Sequence, residues 1–127
     1  MNHSIFLDIA CNEARNSSDE GGIRAGAILT RGDESVAQSG DQSIQLNDPV
    51  AVAELNCIRQ AGRRSDQPQL TLYSTRYPDM LTAGTILQFS LGKLVIGLPE
   101  SSSQAIELLQ SRGVPLEFVD HKGCVAL

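Results

Sequence analysis

Short strand patterns alternate with short helical patterns along almost the whole chain. This alternation limits the fold because strands joined by crossover helices form one sheet whose two faces those helices cover. The spacing of apolar residues separates the two kinds of element. The predicted strands span residues 24–30, 34–39, 70–74, 93–96 and 116–119, and the predicted helices span residues 4–16, 48–62, 78–90 and 101–112.

A helix-start signal precedes the second predicted helix. Asp48 is a residue type favoured at the N-cap, and Pro49 suits the first helical position because its missing N–H has no partner there anyway. The spacing then predicts that Val52, Leu55 and Ile58 face the core and that the helix ends near residue 62.

Length and charge restrict the class of protein. A chain of 127 residues predicts a single domain spanning 1–127. The net charge of −5, with no basic run longer than Arg63 and Arg64, argues against a nucleic-acid partner. No apolar stretch approaches the roughly 18–20 residues of a membrane span. The cysteines are three in number and far apart, so they predict no disulfide framework and a cytoplasmic location.

Several segments resemble the cytidine-deaminase-like superfamily, and in particular its cytosine, guanine and tRNA-adenosine deaminases. They are residues 48–56 (DPVAVAELN), 61–63 (AGR), 72–75 (LYST), 78–86 (PDMLTAGTI), 95–97 (VIG) and 113–120 with Cys124 beyond. The family pattern is H-x-E at the start of one helix and P-C-x-x-C at the start of the next. The resemblance implies a three-layer α/β/α fold around a mixed five-stranded sheet.

The resemblance also implies a departure at the zinc ligands. In such deaminases one His and two Cys bind Zn²⁺, which activates a water, and the Glu moves protons. Here Val52 replaces the His, while Asp79 and Thr82 replace the two Cys; Glu54 and Pro78 keep the family identity. Valine has no donor atom and threonine is a poor zinc ligand. This pattern predicts a degenerate member that lacks the zinc ligands and has no metal or other cofactor.

Two carboxylates are the candidate catalytic residues. The resemblance implies that Glu54 is a general acid and base. It also implies that Asp79 lies beside Glu54 in a small pocket. Two neighbouring carboxylates tend to separate their pKa values, which supplies one acid and one base. Alternatively, both residues only stabilise helix N-termini, where acidic side chains are favourable.

Three further residues are candidates for substrate binding. The resemblance implies that Gln42 falls at about the position where related deaminases carry the Asn that binds the base. An amide there can pair its donor and acceptor with a cyclic amide edge. Thr82 can donate a hydrogen bond to a ligand or bond back to a helix carbonyl. Tyr77 can line the same pocket.

Together these features predict a zinc-independent protein of the deaminase fold with a pocket for a small nitrogenous ring compound. As an enzyme it would hydrolyse a C–N bond or isomerise a ring, without a metal, through Glu54 and Asp79. The alternative is an inactive pseudo-deaminase that acts as a dimerisation partner or binding protein. A homodimer is expected, because proteins of the superfamily that this chain resembles commonly associate through the helices beside the active site.

Overall fold

A computed structural model describes residues 3–127, which form one sheet and five α-helices. The strands are β1 (Gly26–Arg31), β2 (Glu34–Gly40), β3 (Leu70–Ser74), β4 (Lys93–Ile96) and β5 (Leu116–Phe118). The helices are α1 (His3–Asp19), α2 (Ala53–Ala61), α3 (Met80–Phe89), α4 (Gln104–Ser111) and α5 (Lys122–Val125). No helix within residues 3–127 combines the length and the apolar character that crossing a bilayer requires.

The sheet has the order β2-β1-β3-β4-β5 and is mixed. β1 pairs with β2 and with β3 in antiparallel fashion, whereas β3, β4 and β5 are parallel. The parallel strands are connected by α3 and α4, as crossover connections require. The predicted mixed five-stranded α/β fold is confirmed.

The two faces of the sheet form two separate apolar cores. Ile28, Tyr73 and Val95 point to one face, where they pack with α1 and with Cys124 of α5. The neighbouring residues Leu72 and Leu94 point to the other face, which α2, α3 and α4 cover. This alternation follows from the two-residue period of a strand. It also separates the polar groups of α1 and α5 from those of α2 and α3.

The start of α2 differs from the prediction. The helix begins at Ala53 with Val52 in the N-cap position, and Asp48 instead accepts a hydrogen bond from the Val50 N–H in a turn (3.1 Å). The face predicted to point inward is also wrong. Ala53, Glu54, Asn56 and Cys57 are buried, while Val52, Leu55 and Ile58 are partly exposed. Packing of α2 against the sheet decides its buried face, and the start signal at Asp48 specifies only a turn.

Candidate functional site

A small pocket lies beside the carboxyl end of β3, where α2 and α3 both begin. Its volume is about 110 Å³. Pockets for drug-sized ligands span about 300–1,000 Å³, so this one restricts the ligand to a small molecule. The lining side chains come from the residue before β1, from the segments that follow β2 and β3 and from the start of α2; they are Ala25, Asp41, Val52, Glu54, Arg76, Tyr77 and Asp79.

Glu54 is one of two buried acids that line the pocket, and Asp41 is the other. Glu54 lies in the first turn of α2 and is 8% exposed. The Ser74 hydroxyl donates to Glu54 Oε1 and the Thr82 hydroxyl donates to Glu54 Oε2, each over 3.2 Å. Ser74 ends β3 and Thr82 lies in α3, so three elements hold the carboxyl group in one orientation.

Burial raises the pKa of Glu54 to about 7. Removal of the carboxylate from water is the largest cause, and the hydrogen bonds from Ser74 and Thr82 oppose it. The negative charge of Asp79 adds a smaller upward contribution. A general acid and base works best when its pKa lies near the operating pH, so Glu54 has the acidity that proton transfer near neutral pH requires.

Ser74 can serve both protonation states of Glu54. Its hydroxyl oxygen lies 3.2 Å from Glu54 Oε1 and 3.1 Å from the carbonyl oxygen of Arg76. A hydroxyl has one proton to donate and two lone pairs that accept. When Glu54 is ionised, Ser74 can donate to it. When Glu54 is neutral, Ser74 can accept its proton and donate to the Arg76 carbonyl instead.

Asp79 has two roles: it is the N-cap of α3, and it lines the pocket. Its Oδ1 accepts from the Thr82 N–H over 2.8 Å, which is the N-cap hydrogen bond. The residue is exposed and lines the pocket together with Glu54. The structure therefore brings the two predicted carboxylates to one pocket, with one buried and the other at the solvent side.

The predicted binding residues occupy different places. Tyr77 lines the pocket, and its hydroxyl donates to the Pro99 carbonyl over 2.7 Å. Thr82 lies behind Glu54 and reaches the pocket through that carboxyl group. The Gln42 amide donates to Glu20 over 3.3 Å and lies outside the pocket lining. Its neighbour Asp41 lines the pocket instead.

Asp41 and Arg76 are pocket residues that the sequence reasoning missed. Asp41 is buried after the end of β2, and its Oδ1 accepts from the Ser43 N–H and hydroxyl over 2.8 and 2.6 Å. Arg76 brings a positive charge to the pocket. Their positions directly after strands were the available signal, because ligands in open α/β sheets bind beyond the carboxyl ends of the strands.

The three positions of the family's zinc ligands do not form a zinc site here. Val52 presents a hydrocarbon side chain to the pocket. The Thr82 hydroxyl donates to Glu54, and Asp79 Oδ1 caps α3. Structural and catalytic zinc ions take Cys, His or carboxylate ligands, and only one of these three residues is of that kind. These side chains do not fit the metal, so we assign no ion to this position.

Cysteine and histidine side chains meet elsewhere, on the other face of the sheet. The ligand atoms of Cys11, His121 and Cys124 all lie within 4.8 Å of one another and could hold a metal ion. Cys11 and Cys124 belong to the core of α1 and α5, whereas α2, which carries Glu54, covers the opposite face. Cys57, the third cysteine, is buried in that opposite core, where burial raises the pKa of its thiol.

Comparison with known protein families places the chain among deaminases. Residues 1–98 match the family described as the cytidine and deoxycytidylate deaminase zinc-binding region. A cytosine deaminase of Candida albicans is 27% identical over 124 residues, which cover 95% of this chain and 83% of that protein. A tRNA-specific adenosine deaminase of Agrobacterium fabrum is 30% identical over 105 residues, which cover 80% of this chain and 69% of that protein.

A solved structure has the same fold. It is a mutant protein in complex with 8-azaguanine, and it superposes with a TM-score of 0.84 at 12% identity. The match covers 98% of this chain and 81% of the other. A protein of this architecture thus binds a small nitrogen heterocycle.

These findings correct the expected function. The prediction of a zinc-independent protein is wrong, both as a metal-free hydrolase or isomerase and as an inactive pseudoenzyme. The matching family is defined by a zinc-binding region, and the relatives are deaminases. The predicted lack of zinc ligands is likewise unsupported, because Cys11, His121 and Cys124 form a group that could hold a metal. The prediction rested on the three motif positions at the starts of α2 and α3, and the approach of His121 to two distant cysteines depends on the packing of α1 and α5.

Proposed function

Because the chain belongs to the cytidine and deoxycytidylate deaminase family, we propose that it is a deaminase of a small nitrogen heterocycle bound beside Glu54. The environment of Glu54 is the observation that supports this proposal most directly. Glu54 is a buried carboxyl group with a pKa of about 7, oriented by two hydroxyl groups, in the wall of a small pocket. Perturbed acids of this kind in clefts are typical of catalytic sites.

Glu54 can move the protons that deamination requires; this role covers the proton transfers alone and does not replace the zinc that the family's zinc-binding region implies. Water adds to the ring carbon that carries the amino group, which forms a C–O bond, and a water proton passes to Glu54. Glu54 then gives a proton to the amino nitrogen, the C–N bond breaks, and ammonia leaves. The carboxylate is thereby restored. Ser74 stabilises both states of Glu54 through its two hydrogen-bond arrangements.

A free heterocycle is the substrate class that we propose, in preference to a base within RNA. The pocket volume of about 110 Å³ suits a small ligand. The net charge of −5 disfavours binding to the phosphate backbone of RNA, which is attracted to basic proteins. A fold relative binds 8-azaguanine. Asp79, Tyr77 and Arg76 are the side chains at the pocket that would contact such a ring; Gln42 would have to release Glu20 to do so.

Ammonia release tests this function. The full chain is incubated separately with cytosine, adenine, guanine and unmodified tRNA, in buffer that contains Zn²⁺. We expect ammonia from at least one free base and none from tRNA. Release from tRNA alone would contradict the free-heterocycle class, and no release from any of the four would contradict the deaminase proposal.

Asp79→Asn tests the electrostatic coupling between the two carboxylates. Asn keeps the N-cap hydrogen bond to Thr82 but removes the negative charge that helps to raise the pKa of Glu54. We expect the midpoint of the pH profile of kcat/KM to move to lower pH, with little change in Tm. An unchanged midpoint would show that Asp79 acts only as a helix cap.

We also propose a homodimer formed through the exposed apolar side of α3. Met80 and Leu81 are 51% and 44% exposed, and they border a groove with Ile58 of α2 and Phe89 at the end of α3. An apolar groove of this kind is typical of protein–protein contacts. A second copy of the chain would cover this groove, which lies beside the Glu54 pocket.

Sedimentation measures this assembly. We expect the wild type to sediment as a dimer at micromolar concentration and Leu81→Asp to sediment as a monomer, because an unpaired charge would be buried in the contact. Ile44→Asp is the matched control, since Ile44 is 58% exposed and lies in the segment between β2 and α2. A monomeric wild type, or equal dissociation of both variants, would contradict the proposed interface.

A further inference from the structure

The carboxy-terminal helix α5 brings a histidine and a cysteine against Cys11 of α1. Cys11 Sγ lies 3.2 Å from Cys124 Sγ and 3.9 Å from His121 Nδ1. The two cysteines are 1% and 3% exposed. We propose that Cys11, Cys124 and His121 bind one zinc ion, at a site that is separate from the Glu54 pocket and lies on the opposite face of the sheet.

The distances agree with tetrahedral coordination after a small adjustment. Two thiolates at about 2.3 Å from one zinc ion lie about 3.8 Å apart, and a thiolate and an imidazole nitrogen lie about 3.6 Å apart. The corresponding separations here are 3.2 Å and 3.9 Å. The two sulfur atoms must therefore separate by about 0.6 Å, and Cys11 Sγ and His121 Nδ1 must approach by about 0.3 Å, to reach this geometry. Two sulfurs and one imidazole are also the soft donor set that zinc prefers over magnesium or calcium.

His121 is oriented as metal-binding histidines commonly are. Its Nε2 lies 2.8 Å from Asp8 Oδ1, so the carboxylate favours the tautomer with the proton on Nε2. Nδ1 is then the nitrogen that carries the lone pair, and it lies 3.9 Å from Cys11 Sγ. This lone pair accepts from the Cys124 N–H over 3.1 Å as the N-cap of α5. Zinc would replace that weak neutral contact.

Two glycines give the sulfur atoms their space. A Cβ atom at Gly97 would lie 2.5 Å from Cys124 Sγ, which no real contact permits. A Cβ atom at Gly123 would lie 2.9 Å from His121 Cε1 and 3.4 Å from Cys11 Sγ. The absence of side chains at both positions lets the three ligand groups approach one another in a buried place.

A disulfide between Cys11 and Cys124 is the competing use of these thiols. It would require loss of two electrons to an oxidant and would remove both sulfur ligands. Zinc binding requires only loss of the thiol protons. The presence of His121 with its Asp8 partner favours the metal, because neither residue has a role in a disulfide.

Metal titration of the full chain under reducing conditions tests the site. The protein is treated with a chelator, dialysed and titrated with Zn²⁺ against a chromophoric competitor. We expect one zinc per chain and a higher Tm after loading, because a bound ligand stabilises the native state. Titration with Co²⁺ should produce the charge-transfer absorption of thiolate ligands, which reports the ligand type without any enzyme assay.

Variants identify the ligands. Cys11→Ser, Cys124→Ser and His121→Asn should each abolish stoichiometric binding; Asn retains an N-cap acceptor for α5. Asp8→Asn should weaken binding by about 10- to 100-fold, the usual effect of removing an outer-shell partner. Cys57→Ala is the matched control, because it removes a buried cysteine from the other core and should leave binding unchanged.

Four results would overturn the site. The first three are no zinc bound above background by the wild type, a cobalt spectrum without thiolate absorption, and equal zinc binding by wild type and Cys124→Ser. Loss of binding in Glu54→Gln but not in His121→Asn would place the ion in the catalytic pocket and would also overturn it. Deamination is measured separately, so its absence does not affect this result.

Discussion

Glu54→Gln is expected to lower the deamination rate by about two to four orders of magnitude, the usual contribution of general acid–base catalysis. Gln has nearly the same shape and can still bond to the Ser74 and Thr82 hydroxyls, but it cannot accept or release a proton at the required pH. For the wild type, kcat/KM should rise with pH through about 7, because water loses its proton to the ionised form of Glu54.

The measurement is steady-state ammonia release over a range of pH with the free base that the wild type accepts. Glu107→Gln is a close control, since Glu107 is an exposed glutamate in the first turn of α4, just as Glu54 is in the first turn of α2. The control should keep wild-type rates. Equal rates for wild type and Glu54→Gln would remove Glu54 from the mechanism.

The second large effect is a pH-dependent cost of burying Glu54. Its pKa is about 7 in the folded protein and 4.5 is the reference value for the unfolded chain. Between these values the native state binds more protons than the unfolded state, so the free energy of unfolding falls as pH rises. The stability contributed by the neutral, buried form of Glu54 is fully present below pH 4.5, and it is lost as the pH rises through about 7. The difference corresponds to about 3 kcal/mol.

Denaturant unfolding of wild type and Glu54→Gln at pH 5 and pH 8 measures this cost. At pH 5 Glu54→Gln should be more stable by no more than about 1 kcal/mol, because this pH lies only just above the reference pKa of 4.5 for the unfolded chain. At pH 8 Glu54→Gln should be more stable by up to about 3 kcal/mol, because its side chain carries no charge to desolvate. Glu107→Gln should follow the wild type at both values. Parallel stability of wild type and Glu54→Gln across pH would contradict the raised pKa.

Local patterns were sufficient for most of the fold. Strands β3 and β4 span the predicted residues, because each is a short apolar run with clear ends. The stability of α3 near its start is also local, since Asp79 caps it through a neighbouring N–H. By contrast, α5 was not predicted, because a four-residue helix has too few residues for a periodic pattern.

The pocket was predictable in part. The resemblance to the deaminase superfamily implied that Glu54, Asp79 and Tyr77 share one pocket, and all three line the pocket described here. The raised pKa of Glu54 was not predictable from its own segment, because it depends on how α2, β3 and α3 enclose the carboxyl group. Arg76 and Asp41 enter the pocket for the same reason, through the convergence of chain segments at the strand ends.

The sequence by itself determined the order of the elements up to β5, the mixed sheet through its resemblance to a family, and the choice of Glu54 as a candidate acid. Only the tertiary structure decided which face of α2 is buried and which distant groups meet. Cys11 and Cys124 are separated by 113 positions and approach to 3.2 Å. Such a contact arises from the packing of α1 and α5 on one face of the sheet, and neither segment contains a pattern that specifies the other.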